Sequence, residues 1–276
     1  MSLIGQRLKL PYLEEINAGS LLDGGEELGE LLLPKGERLT ADRDQVEVFI
    51  YRDSEGRPIA TEKTPHVMPG SFGALRLISS NNTGAFLDWG LAKDLLLPYS
   101  EQRHLPKVGQ PVVVHVYLDP KSQRLVASQR ISRFLNSDMP EYQLGQEVDL
   151  LLFGKTDMGY KAIVDSKYDG LIFANQVFEK LYYADQMKGY VQQVRNDGKI
   201  DITIHPPGQA KVDDLETILE RELESRGGYW AIDDKTSADV IHRELGVSKK
   251  VFKKATGALF RKRKIVFEDG GIRSVK

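Results

Sequence analysis

The chain has 276 residues, with 38 Lys and Arg against 40 Asp and Glu, and it contains no cysteine. This composition is typical of a folded protein of two to four domains, and it excludes disulfides, cysteine-liganded zinc and cysteine nucleophiles. Because the sequence shows no export signal and no apolar run near the roughly 18 residues of a membrane span, we expect a cytoplasmic protein without membrane contact.

A repeat occupies the first three quarters of the chain. Residues 45–51 and residues 111–117 both alternate apolar and mixed side chains with a period of two, as half-buried strands do. Other segments of similar sequence occur in the same order around both: residues 19–23 match 84–88, residues 31–34 match 95–98, and residues 59–63 match 126–130. A third, weaker copy begins at Gly145 and contains an Asn-Asp-Gly turn at 196–198, which indicates a hairpin.

Each copy of the repeat predicts five short strands. One starting glycine, one paired hairpin and a longer connection between the third and fourth strands are typical of a small closed barrel of the OB type. We therefore predict three OB-type barrels in tandem, over residues 1–65, 66–137 and 138–209.

The chain has a helical period from residue 210 onward. Apolar spacing predicts helices around residues 215–223 and 236–245, and a third helix that begins after Ser248 as its cap. Residues 265–268 and 272–275 then form a predicted hairpin. Three helices and a closing hairpin predict a winged helix-turn-helix over residues 210–276. The predicted fold class is thus mostly β with a C-terminal α+β module.

Among the three barrels, the second carries most of the candidate nucleic-acid contacts. Residues 66–140 hold 8 basic and 5 acidic side chains, whereas residues 1–65 hold 8 and 13. Single-stranded nucleic acid is bound by aromatic rings that stack on bases and by cations that contact phosphates. In the second barrel these candidates are Phe86, Trp89 and Tyr99 as rings, and Lys93, Arg130 and Arg133 as cations.

The other two barrels offer fewer candidates. Phe86 and Leu87 are neighbours in a strand, so only one of them points outward, and core packing of Phe86 is the alternative to base stacking. The third barrel offers Tyr160 and Phe173. The acidic first barrel has Leu22 where a stacking ring would be needed, and we expect it to be a structural or protein-contact module.

The motifs of the second repeat resemble the S1 RNA-binding domain. They are Gly-Ala-Phe-Leu-Asp at 84–88, Leu-Leu-Leu-Pro-Tyr-Ser-Glu at 95–101 and Val-Ala-Ser-Gln-Arg at 126–130. Three S1-like units and a winged helix resemble, over essentially the whole chain, the bacterial conserved virulence factor B family. The resemblance implies a cytoplasmic RNA-binding regulator without a catalytic site. Thr83 and Pro98 stand where S1 domains usually have a second aromatic residue and a histidine, and Phe173 matches that histidine position in the third unit.

The C-terminal domain concentrates positive charge. Residues 246–276 carry 10 basic and 2 acidic side chains. The candidate phosphate contacts are Lys249, Lys250, Lys253, Lys254, Arg261, Lys262, Arg263 and Lys264. Lysine binds phosphate as a point charge, which favours contact without sequence preference over the reading of base edges. The alternative is a solvated helix face whose lysines complement the helix dipole.

The sequence favours binding over catalysis. The five histidines are scattered without metal-ligand spacing, and the glycine-rich stretch at 19–29 lacks the Gly-Lys-Ser/Thr of a P-loop. We expect no catalytic residue, metal or cofactor. The predicted function is binding of single-stranded RNA through barrels 2 and 3 and the winged helix, by a post-transcriptional regulator. Two alternatives stay open: a transcriptional regulator that binds duplex DNA, and an adaptor that contacts the ribosome or another protein.

Overall fold

The structure of the protein is a computed structural model, which describes residues 2–38, 44–104, 106–177, 180–205, 210–245 and 247–275. The chain divides into two compact units, Met1–Asn136 and Ser137–Lys276. No helix in these described ranges is long and apolar enough to cross a membrane.

The first unit contains two closed five-stranded barrels. Barrel 1 is built from β1 (Arg7–Ile16), β2 (Gly19–Asp23), a short helix α1 (Gly25–Leu28), β3 (Glu30–Pro34), β4 (Gln45–Arg52) and β5 (Pro58–Thr61). Barrel 2 is built from β6 (Phe72–Asn81), β7 (Gly84–Asp88), β8 (Leu95–Pro98), β9 (Pro111–Leu118) and β10 (Leu125–Ser128). In both barrels the third and fifth strands pair in parallel, so the strand order is first, second, third, fifth, fourth.

The second unit begins with barrel 3. Its strands are β11 (Glu147–Thr156), β12 (Gly159–Val164), β13 (Tyr168–Phe173), β14 (Gln186–Val194) and β15 (Ile200–Thr203), closed in the same order as in the other two barrels. The prediction of three tandem OB-type barrels is therefore confirmed.

All three repeats have a glycine at the first position of their second strand, and the strand packing explains why. Gly19, Gly84 and Gly159 each begin the second strand of their barrel. A Cβ built on these residues would lie 2.1, 2.5 and 2.0 Å from a backbone carbonyl oxygen of the facing third strand. Because no side chain fits in so little space, the close approach of the second and third strands requires glycine.

Barrels 1 and 2 share an apolar contact within the first unit. Phe49 and Tyr51 on β4 contact Trp89, which follows β7, with ring centroids 6.0 and 6.3 Å apart in edge-on geometry. Trp89 is 3% exposed, and its indole N–H donates a hydrogen bond to the backbone carbonyl of Lys93. The indole fills the core where the two barrels meet, which favours a structural role for Trp89, and base stacking by this residue stays a prediction.

The second unit ends in a winged-helix domain, as predicted. Its elements are α2 (Ala210–Ser225), β16 (Tyr229–Trp230), α3 (Ala238–Leu245), α4 (Lys249–Arg261), β17 (Ile265–Glu268) and β18 (Gly271–Ser274). Ser248 caps α4 by accepting a hydrogen bond from the backbone N–H of Val251. The hairpin β17–β18 gains a third strand, β16, which pairs with β18 and which the sequence pattern did not predict.

Candidate nucleic-acid interface

A groove of about 440 Å³ lies where barrels 1 and 2 meet. Its lining combines aromatic and aliphatic side chains with more cations than carboxylates. The aromatic and charged residues of the lining are Tyr51, Arg52, Phe86, Trp89, Lys93, Asp94 and Arg124. An apolar lining with a few charged groups is the usual composition of a site for a small organic ligand.

Phe86 lines this groove because of the alternation of side chains along β7. Ala85 and Leu87 are fully buried, so they point into the barrel and Phe86 points outward. The ring of Phe86 is half-buried. Of the two neighbours Phe86 and Leu87, the leucine occupies the core and the phenylalanine is accessible to a ligand.

Lys93 also lines the groove, but its ammonium group is bound to barrel 1. Its Nζ donates hydrogen bonds to the backbone carbonyls of Asp53 at 2.6 Å and Arg52 at 3.2 Å. Burial of the ammonium, and then the nearby charge of Arg124, lower the pKa of Lys93. This side chain connects barrel 2 to the turn that follows β4, and its contact with a phosphate stays a prediction.

Arg124 is a basic residue of the groove that the sequence analysis missed. It immediately precedes β10, and its guanidinium lies against Gly56 of barrel 1, where an added Cβ would approach Nη2 to 3.1 Å. Arg52, which also lines the groove, donates to the carbonyls of Gln123 at 3.0 Å and Gly56 at 2.7 Å. Arg124 makes no ion pair within the described part of the chain, so its guanidinium is available to an anionic ligand.

Three other predicted contacts of barrel 2 lie outside the lining of this groove. Tyr99 is 54% exposed and offers a ring at the surface. The guanidinium Nε of Arg130 donates to the carbonyl of Ser100 at 2.7 Å, and Arg133 forms an ion pair with Glu101 at 3.3 Å. Both arginines are thus held by neighbouring groups of their own barrel.

Barrel 3 places its two predicted rings differently. Tyr160 packs against the barrel core, with Nζ of Lys155 5.2 Å from its ring centroid. Phe173 is half-buried, and the guanidinium of Arg195 lies 5.7 Å from its ring centroid. Arg195 also forms an ion pair with Asp201 at 2.6 Å. Both rings are half-buried.

The basic residues of the winged helix fall into two groups. The first group is held by polar partners of the same domain: Lys249 by the carbonyl of Lys235 (3.3 Å), Lys253 by Asp234 (3.7 Å), Lys262 by Glu216 (2.6 Å) and Lys264 by Glu220 (2.7 Å). The second group is exposed and makes no ion pair among the described residues: Lys250, Lys254, Arg261 and Arg263. The second group carries the positive charge that a polyanion can neutralise.

The described residues contain no group of three or more His, Asp or Glu side chains arranged to hold a metal ion.

Comparisons with known proteins agree with this architecture. The S1 domain family matches residues 4–63 and 69–130, and the CvfB-like winged helix domain family matches residues 216–273. The uncharacterized protein YitL of Bacillus subtilis (strain 168) is 28% identical to this chain, covering 96% of it and 92% of YitL. Conserved virulence factor B of Staphylococcus epidermidis (strain ATCC 12228) is 25% identical to this chain. The similarity covers 84% of this chain and 80% of the staphylococcal protein. A crystal structure of a multidomain protein with nucleic acid binding domains from Streptococcus pneumoniae TIGR4 is 20% identical, with a TM-score of 0.44 and coverage of 99% of both chains.

The fold and the matched domains define a class of protein in which tandem S1-type barrels precede a winged helix. Within that class, the chain is similar to the conserved virulence factor B proteins, with which it shares the S1 and CvfB-like winged helix domain matches. The resemblance seen in the sequence is thereby confirmed.

Proposed function

We propose that this protein binds single-stranded RNA without catalysing a reaction, and that it acts through this binding as a post-transcriptional regulator. The observation that carries the proposal is the groove between barrels 1 and 2. There a half-buried ring, Phe86, lies in the same cavity as the guanidinium of Arg124, which has no acidic partner in the described chain. A ring and a cation in one cavity match the base and the phosphate of a nucleotide.

The size and charge of the groove support this ligand. Its volume of about 440 Å³ falls within the range of roughly 300–1,000 Å³ that is usual for sites of small organic ligands. Arg52, Lys93 and Arg124 line it together with a single carboxyl group, that of Asp94. Burial, and then the charge of Asp88, raise the pKa of Asp94.

The accessible ring of Phe86 favours an unpaired strand over a duplex as the ligand. A base inside a duplex is already stacked on its neighbours and cannot stack on Phe86 without leaving the helix. An unpaired strand presents its bases freely. The S1 match over barrel 2 supports RNA as the ligand, because OB-type barrels commonly bind oligonucleotides on this surface.

The winged helix adds phosphate contacts in this proposal. Its four cations without an ion pair, Lys250, Lys254, Arg261 and Arg263, lie on or just after α4. Several modest sites on one chain raise the overall affinity, because the first contact increases the effective concentration of the strand at the others.

The two groups of lysines in the winged helix give a direct test of this role. We expect Lys250→Gln/Lys254→Gln to weaken single-stranded RNA binding and to make the slope of log affinity against log salt shallower by roughly 1–1.5, because two phosphate contacts are lost. Glutamine keeps the helix propensity close to that of lysine, so α4 should persist. The measurement is filter binding of the full chain across a series of salt concentrations.

The matched control is Lys262→Gln/Lys264→Gln, which removes the same charge from ion pairs with Glu216 and Glu220. This control should change the salt slope less and should lower the melting temperature, because the carboxylate of Glu216 is buried and loses its partner. If the Lys250/Lys254 variant keeps the wild-type slope, the winged helix does not contact phosphates.

A further inference from the structure

Helix α4 contains a glycine in the middle of its exposed side. Gly257 lies one turn away from four residues, Lys253 and Lys254 before it and Phe260 and Arg261 after it. All four of these side chains are exposed. Together they surround Gly257, which is half-buried and has no side chain of its own, and we call this part of the helix surface the Gly257 patch.

The fold does not require this glycine. A Cβ built on Gly257 would meet no heavy atom within 4 Å, and the residue does not adopt a positive φ. Gly170 and Gly189 of barrel 3 differ, since a Cβ there would come within 2.6 and 2.4 Å of a packed side chain. A glycine inside a helix destabilises the helix relative to alanine. Gly257 therefore lowers the stability of α4 without any packing reason.

The border of the Gly257 patch has the chemistry of a nucleic-acid site. Phe260 is 51% exposed and contacts Phe267 on β17, itself 42% exposed, with ring centroids 5.7 Å apart. Two exposed rings in contact form an apolar surface that water solvates poorly. Lys254 and Arg261 lie on the opposite side of the patch and make no ion pair among the described residues, whereas Lys253 lies 3.7 Å from Asp234.

We propose that the Gly257 patch is where an unpaired nucleic-acid strand lies directly on α4. A phosphate lies between the side chains of Lys254 and Arg261, in the space that the missing side chain of Gly257 leaves open, and a base stacks on the Phe260–Phe267 pair. This proposal rests on the proposed function and adds to it, because it assigns to the winged helix the binding of a base as well as of phosphates. The basic border of the patch favours a polyanion over a protein surface, and a duplex cannot supply the free base.

The test uses full-length protein with Gly257→Gln, Phe260→Ala/Phe267→Ala, and the two combined. The control variant is Gly36→Gln in barrel 1, because a Cβ on Gly36 also meets nothing within 4 Å and Gly36 has no positive φ. The probe is a fluorescent single-stranded RNA, and each variant is also measured by thermal melting and by sedimentation.

We expect Gly257→Gln to melt at or above the wild-type temperature, since glutamine is the better helix former. It should nevertheless bind the RNA at least about fivefold more weakly, which corresponds to the lower end of the energy of stacking one base. The double phenylalanine variant should lose affinity to a similar degree. The combined variant should lose less than the product of the two effects, because both act on one site. Gly36→Gln should bind like wild type.

Wild-type affinity of Gly257→Gln would overturn the inference while leaving the proposed function intact, provided that Phe86→Ala still weakens binding. A change in self-association with unchanged RNA affinity would also overturn it and would assign the patch to protein contact. If the wild-type protein binds no RNA at all, both the proposed function and this inference are wrong.

Discussion

Phe86→Ala should weaken binding of single-stranded RNA by about 1–3 kcal/mol, the range for stacking one base on one aromatic side chain. The ring lines the groove between barrels 1 and 2 and is half-buried, so the folded protein should survive its loss. RNA affinity is measured by filter binding, and the free energy of unfolding by urea denaturation of the same preparations.

The neighbouring residue provides the control for this variant. Leu87 is fully buried, and Leu87→Ala should lower the free energy of unfolding by about 2–5 kcal/mol. The fraction of Leu87→Ala that stays folded should bind RNA with nearly wild-type affinity. If Phe86→Ala instead destabilises the fold and leaves affinity unchanged, the ring is a core residue and the groove is not the binding site.

Trp89→Ala should lower the free energy of unfolding by about 3–5 kcal/mol, as is typical when a large aromatic side chain leaves a core. The loss should be at the upper end of that range, because the indole packs against Phe49 and Tyr51 of barrel 1 as well as against barrel 2. Unfolding should be followed by far-UV circular dichroism, since the chain has only two tryptophans and the variant removes one.

Trp89→Phe separates packing from hydrogen bonding at this position. Phenylalanine keeps a ring between the barrels but loses the N–H that donates to the carbonyl of Lys93, so its destabilisation should be clearly smaller than that of alanine. A stable Trp89→Ala variant that no longer binds RNA would show that the indole contacts the ligand and that its assignment to the core is wrong.

The architecture could be predicted from the sequence because each repeat carries its own local pattern. Strands β4 and β9 alternate with a period of two, and Gly19 and Gly84 mark the same close strand approach in two barrels. Such features depend on neighbouring residues and on one facing strand. The same holds for the winged helix, where Ser248 predicts the start of α4 and the structure confirms it.

The binding site was harder to predict because it depends on how barrels 1 and 2 pack together. Phe86 and Trp89 are both aromatic and both border the groove, and only the contact of Trp89 with Phe49 and Tyr51 shows that this ring is buried in the core while Phe86 stays half-buried. Lys93 likewise has a basic side chain whose partners are carbonyls of the other barrel.

Arg124 could have been found from the repeat itself. Asp119 and Arg124 flank the hairpin between β9 and β10, just as Asp53 and Arg57 flank the one between β4 and β5. In barrel 1 the arginine forms an ion pair with its aspartate at 2.8 Å, whereas Arg124 makes none in the described chain. That difference is visible only in the structure, because ion pairing depends on side-chain geometry within the turn.

The most direct test of the central claim is binding of the full-length chain to three probes of matched sequence: single-stranded RNA, single-stranded DNA and duplex DNA. Filter binding at two salt concentrations measures both affinity and its electrostatic part. The proposed function predicts the tightest binding to single-stranded RNA, weaker binding to duplex DNA, and a loss of affinity at the higher salt concentration. Tightest binding to duplex DNA, or no binding to any free nucleic acid, would contradict it.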